Sequence, residues 1–98
     1  MSRCEFAAQA SADLIQIHDY IAQDSPVNAL RFIERLERQC YHLADHPELG
    51  RLRPEFGLNI RTFLVPRTRY ILFYRAVEDG VQILHVRQGS RDLRRLFQ

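Results

Sequence analysis

The 98 residues predict an α+β fold, with an N-terminal helical hairpin, a small antiparallel sheet and a short C-terminal helix. Three observations carry the prediction. In the first half, apolar residues recur at helical spacing, as Leu14, Ile17 and Ile21 and then as Ala29, Phe32, Ile33, Leu36, Cys40 and Leu43. In the second half, runs rich in Ile, Leu, Val, Phe, Tyr and Thr are broken at Pro66-Arg67-Thr68 and at Asp79-Gly80. Those breaks are too short for a crossover, so the strands they join must be antiparallel.

In chain order, Arg3–Ala7 is expected to form a short strand that pairs with the later sheet. The first helix is expected from Ala12, with Ala10 one turn earlier, to near Asp24, and Asp13, Gln16 and Asp24 fall off its apolar stripe. Ser25-Pro26 supplies a capping hydroxyl and a proline at the first helical position, where a missing N–H costs nothing. The second helix starts there and is stopped by Pro47. Its other face, with Arg31, Glu34, Arg35, Glu37 and Arg38, is solvated, and Glu34 precedes Arg38 in the favourable i, i+4 order. Residues 47–57 hold two prolines and two glycines and are expected to be a connector. Strands are then expected at Leu58–Val65, Arg69–Ala76 and Val81–Arg87. Past Gly89-Ser90, Leu93, Leu96 and Phe97 are spaced for one or two helical turns.

Alternation in the middle strand puts Tyr70, Leu72 and Tyr74 on one face, and Ile71 and Phe73 on the other with Arg69 and Arg75. Both faces are therefore partly apolar, and a sheet of this kind needs two coverings. A single helical hairpin covers one. The second is expected to come from another polypeptide.

The length fits one domain, residues 1–98. No apolar run approaches a membrane span and the N-terminus lacks a secretory h-region, so a cytoplasmic protein without membrane contact is expected. Cys4 and Cys40 match no metal spacing and are expected as reduced, packed thiols. His42 and His46 lie one helical turn apart without a third ligand at a sensible spacing, and neither a metal nor another cofactor is expected. Charge is uneven: residues 1–50 carry four Arg against eight acids, and residues 51–98 ten Arg against four. This fits either two halves that balance in a compact fold or a basic surface for an acidic partner or nucleic acid.

The ordered set DLIQIHDYIAQDSPVNALRFIERL, LADHPELGRLRPEFG, RYILFY and VRQGSRD followed by LF resembles the RelE/ParE superfamily of bacterial toxins, and more closely its ParE branch. The resemblance covers nearly the whole chain. It implies a helical hairpin packed on one face of a small curved antiparallel sheet, and toxicity held in check by a cognate, ParD-like antitoxin. Toxins similar to the ParE branch act on DNA gyrase, whereas those like RelE cleave mRNA on the ribosome. In the RelE type, Arg91 aligns with a catalytic arginine, but the catalytic tyrosine falls on Phe97 and a further arginine on Ile71. Phe97 can neither give nor take a proton, and loss of such a group typically costs about 10² to 10⁴ in rate. His85 is the remaining candidate base beside Arg91 if the chain is a ribonuclease. The favoured reading is a non-enzymatic gyrase inhibitor, with direct nucleic-acid binding less favoured. Its partner-binding residues are expected to be Arg61, Arg69, Tyr70, Tyr74, Arg87, Arg91 and Phe97, with Tyr70, Tyr74, Arg69 and Arg87 on the sheet face that the hairpin leaves open. Tyrosine and arginine are enriched at binding hot spots.

Overall fold

The computed structural model describes residues 2–89. Strand β1 (Arg3–Phe6) leads into helices α1 (Ala8–Ala22) and α2 (Pro26–Asp45), and strands β2 (Arg51–Leu52), β3 (Arg61–Leu64), β4 (Tyr70–Val77) and β5 (Gly80–Gln88) follow. The strand order is β1-β5-β4-β3-β2. The expected α+β fold is the observed one, with one addition. The sheet is mixed, because β1 pairs parallel to β5 from Arg3 opposite Gly80 to Phe6 opposite Ile83, while β2 to β5 are antiparallel. The connection between these two parallel strands runs through both helices and through β2 to β4.

Local chemistry sets the element ends. The Ser25 hydroxyl accepts from the Asn28 N–H at 3.2 Å and Pro26 opens α2. The first meander strand begins at Arg61 instead of Leu58, because Asn59 takes a left-handed turn conformation (φ 62°). The connector is more ordered than its composition suggests: two short 3-10 turns, Pro47–Leu49 and Pro54–Phe56, flank β2. The expected C-terminal turns at 91–97 lie outside the described residues.

The main core lies between the hairpin and one sheet face. Leu36, Cys40 and Leu43 meet Leu72, Tyr74, Val81, Ile83 and Val86, all at most 2 % exposed. A β-bulge makes this possible. Phe73 pairs with His85 but Tyr74 pairs with Ile83, which leaves Leu84 as an extra residue. Strict alternation would send Ile83 and Val86 to opposite faces, and the bulge turns both toward the helices. Cys4 and Cys40 are free thiols on this side, and burial pushes the Cys4 thiol up to about 11.

The far face is partly covered by the chain itself, which corrects the expectation that a second polypeptide must supply the whole covering. Phe56 and Ile60 from the connector pack on Phe73, with Ile71 and Leu84 beside them. The Phe56 and Phe73 rings meet edge to face at 5.6 Å, and the Arg53 guanidinium lies 4.7 Å from the Phe56 centroid. Phe73 is sealed.

Candidate functional site

Cross-strand pairing tells which side chains share the far face. Leu64 pairs with Ile71, Ile71 with Arg87, Thr62 with Phe73 and with Arg51, and Arg75 with Gln82. Arg51, Arg75 and Arg87 therefore leave the sheet on the side away from the helices with Leu64, Ile71 and His85, although the Arg87 guanidinium reaches Asp13 of α1, and Arg69 follows by alternation from Tyr70. At one end of this face an open groove of about 440 Å³ is lined by Leu64, Thr68, Arg69, Ile71 and Gly89. Its floor is apolar, and Leu64 is 59 % exposed. A guanidinium at the rim of an apolar groove suits a partner that offers a carboxylate beside an apolar side chain.

The tyrosines expected on this open face are on the other one. Tyr74 is fully buried under the hairpin side. The Gly50 N–H donates to its hydroxyl at 2.7 Å, and the hydroxyl donates to the Pro47 carbonyl at 2.7 Å. Its phenol is pushed above the usual value by burial, against the lowering effects of the Gly50 N–H and Arg61. Tyr74 is thus a clamp on the connector. Gly50 must be glycine for this, since a Cβ there would fall onto the Tyr74 ring and within 2.8 Å of the Thr62 carbonyl. Tyr70 stacks edge to face on Phe32 of α2 at 5.6 Å, and its hydroxyl accepts from Gln88 Nε2 at 3.3 Å. The alternation rule had placed both tyrosines with Leu72, and that placement holds; it is the hairpin that covers their face.

Arg61 also differs from expectation. It shares a face with Tyr74, and its Nη1 donates to the carbonyls of Gly50 (2.8 Å) and Glu48 (3.4 Å). It braces the same connector that Tyr74 clamps. Arg91 and Phe97 lie outside the described residues. His85 is on the far face, 6.2 Å from the Phe73 ring in edge-to-face contact. Burial lowers its pKa, with Asp13 raising and Arg87 lowering it in turn. His42 and His46 face each other at 5.0 Å, and among the described residues no group of three or more His, Cys, Asp or Glu is placed to hold a metal. No helix among the described residues is long and apolar enough to cross a membrane.

One residue was missed. Asp13, expected off the apolar stripe of α1, is 3 % exposed, in a row with Ala10 and Ile17. Its Oδ2 accepts from the Val86 N–H at 2.9 Å, and its Oδ1 accepts from Gln9 Nε2 at 2.9 Å and lies 3.3 Å from Arg87 Nη2. The signal was the spacing itself: Asp13 is three residues past Ala10 and four before Ile17, inside the buried row.

The same overall fold is found elsewhere. The solved structure titled "Chromosomal ParDE TA system from P. aeruginosa" contains a chain that superposes with a TM-score of 0.74 over 90 % of this chain and 96 % of that one, at 24 % identity, a likeness of fold. In sequence, the chain is 37 % identical over 92 residues to "Toxin RelE2" of Caulobacter vibrioides, covering 93 % of this chain and 99 % of the relative. Residues 4–93 match the family model described as ParE toxin of the type II toxin-antitoxin system, parDE. With the match running from the first strand past the last described one, the chain belongs to the ParE toxin family of type II toxin-antitoxin systems.

Proposed function

We propose that this toxin acts in the cytoplasm by binding DNA gyrase and inhibiting it without covalent chemistry, and that a ParD-like antitoxin neutralises it. The observation that carries the reading is the composition of the far sheet face. It joins an open apolar groove to Arg51, Arg69, Arg75 and Arg87, while both nearby tyrosines are engaged on the helix side. Such a surface gives a protein partner apolar contact and charge-assisted hydrogen bonds. An acidic, apolar antitoxin tail that folds as it binds would suit it equally. The test is a supercoiling assay with purified, antitoxin-free chain. Inhibition relieved by the antitoxin is the expected result. Gyrase that works undisturbed at chain concentrations that stop growth would overturn the reading.

A ribosome-dependent mRNA endonuclease is the second reading, favoured by His85 and Arg87 on one face. Burial keeps the His85 imidazole toward its neutral form, which can accept a proton. Against it stands Phe97, which offers no proton. Intact ribosome-bound transcripts in the presence of the chain would remove this reading. Direct binding to nucleic acid would show itself as an affinity that falls steeply with salt.

A further inference from the structure

We propose that Asp13 is a positioning residue of the contact surface: it fixes the Arg87 guanidinium and the end of β5 in the attitude in which Arg87 meets an anionic group of the partner. The inference rests on reading Arg87 as a contact residue. It adds a residue on α1, on the other side of the strand, that sets how Arg87 is presented.

The first ground is where Asp13 stands. β1 pairs with β5 only as far as Ile83, so among the described residues the edge of β5 beyond it has no strand beside it. The Asp13 carboxylate stands at that edge and takes the Val86 N–H, a contact between residues 73 apart in sequence. The second ground is the asymmetry of the ion pair. The Asp13 side chain is 2 % exposed and that of Arg87 is 35 % exposed, so one partner is sealed and the other is presented. Arg87 Nε is buried and has no hydrogen-bond acceptor among the described residues, which leaves the Asp13 carboxylate as the described group that orients the guanidinium. The third ground is energetic. A buried ion pair is a poor source of stability compared with apolar packing of the same volume. An apolar residue at position 13 would continue the row of Ala10 and Ile17 without desolvating a charge.

A purely structural role for Asp13 would need only an acceptor for the Val86 N–H. The Asp13→Asn substitution separates the two roles, because its three neighbours respond differently. Val86 N–H can still donate to the carboxamide oxygen. Gln9 can turn its own amide to offer an oxygen to the new NH₂. Arg87 has donors only, so it faces an NH₂ it cannot bond.

The experiment is a double-mutant cycle on growth inhibition by the full chain, at matched protein levels, with Asp13→Asn, Arg87→Ala and the pair together. Circular dichroism and Tm confirm folding, and Gln9→Ala serves as the control expected to inhibit like the parent. Asp13→Asn is expected to raise the protein level needed to halve growth by about tenfold, the order of losing one charge-assisted hydrogen bond. In the Arg87→Ala background it should add almost nothing, since the residue it acts through is gone. An Asp13→Asn effect of equal size in both backgrounds, or none in either, overturns the proposal. A parental chain that inhibits growth but is unaffected by Arg87→Ala overturns the reading of Arg87 as a contact residue, which is a separate failure. If Asp13→Asn does not fold, Asp13→Glu takes its place. It keeps the charge but displaces it by a methylene, and the same vanishing of its effect without Arg87 is required.

Discussion

The two faces of the sheet are built from alternate residues of the same strands, yet they differ in what they leave for another molecule. Toward the helices, Leu72, Tyr74, Val81, Ile83 and Val86 are sealed against the hairpin of α1 and α2. Away from them, Phe73 is sealed by the connector, but Leu64 remains 59 % exposed beside Ile71 and Arg69. In β4, Leu72 and Ile71 are adjacent in sequence and belong to different tasks. One face holds the fold together, and the other keeps apolar surface open beside Arg69. The largest expected effect tests this division directly. Leu72→Ala should cost about 3 kcal/mol, a fall in Tm of roughly 15 °C, because it opens a cavity in a fully buried site. Leu64→Asp should change Tm by less than about 3 °C, as exposed positions usually do, and should abolish growth inhibition. Paired thermal melts and growth assays decide it. Equal destabilisation by the two would mean that the far face is as much core as the near one.

The tyrosines sharpen the same comparison at smaller scale. Tyr74→Phe leaves the Gly50 N–H and the Pro47 carbonyl without their hydroxyl partner at a buried site, a loss of about 2 kcal/mol. Tyr70→Phe removes a longer contact at the exposed edge and should cost less than about 0.5 kcal/mol. Urea unfolding of both variants measures the difference. A Tyr74→Phe chain as stable as the parent would show that the connector does not depend on its clamp.

These faces were only half legible in the sequence. Alternation grouped Tyr70, Leu72 and Tyr74 correctly, because period two is a local property of a strand. Which group the hairpin covers is a tertiary fact, and the number of apolar residues on each side did not settle it. The bulge at Leu84 escaped for a related reason, since nothing in VQILHVRQ marks where an extra residue is accommodated. Helical period, the Ser25-Pro26 corner and the Asp79-Gly80 turn were readable because each is decided within a few residues. The turn itself falls on Glu78-Asp79, where Asp79 adopts the left-handed conformation (φ 65°), and Gly80 opens β5. The connector looked like a plain loop, because its order comes from Tyr74 and Arg61, more than ten residues away. Asp13 was set aside as polar, although its place in the row of Ala10 and Ile17 already implied burial. A carboxylate at a core position is the pattern that most needs an explanation.

The smallest effect decides to which part of the far face His85 belongs. Burial is the main cause that lowers its pKa from the usual 6.5, so the folded chain takes up this proton less readily than the unfolded chain. Its contribution to stability is therefore complete above the unfolded value and is lost as pH falls below it toward the folded value. Stability measured by urea unfolding should decline between about pH 7 and pH 5 in the parent chain, and less so in His85→Gln, which has no imidazole to charge. The rest of the sequence is the same in both chains, so the difference between the two profiles isolates His85. If the profiles coincide, the imidazole is charged as easily in the folded chain as in the unfolded one. His85 would then join the open, arginine-bearing part of the face and leave the sealed part around Phe73 to aromatic packing alone.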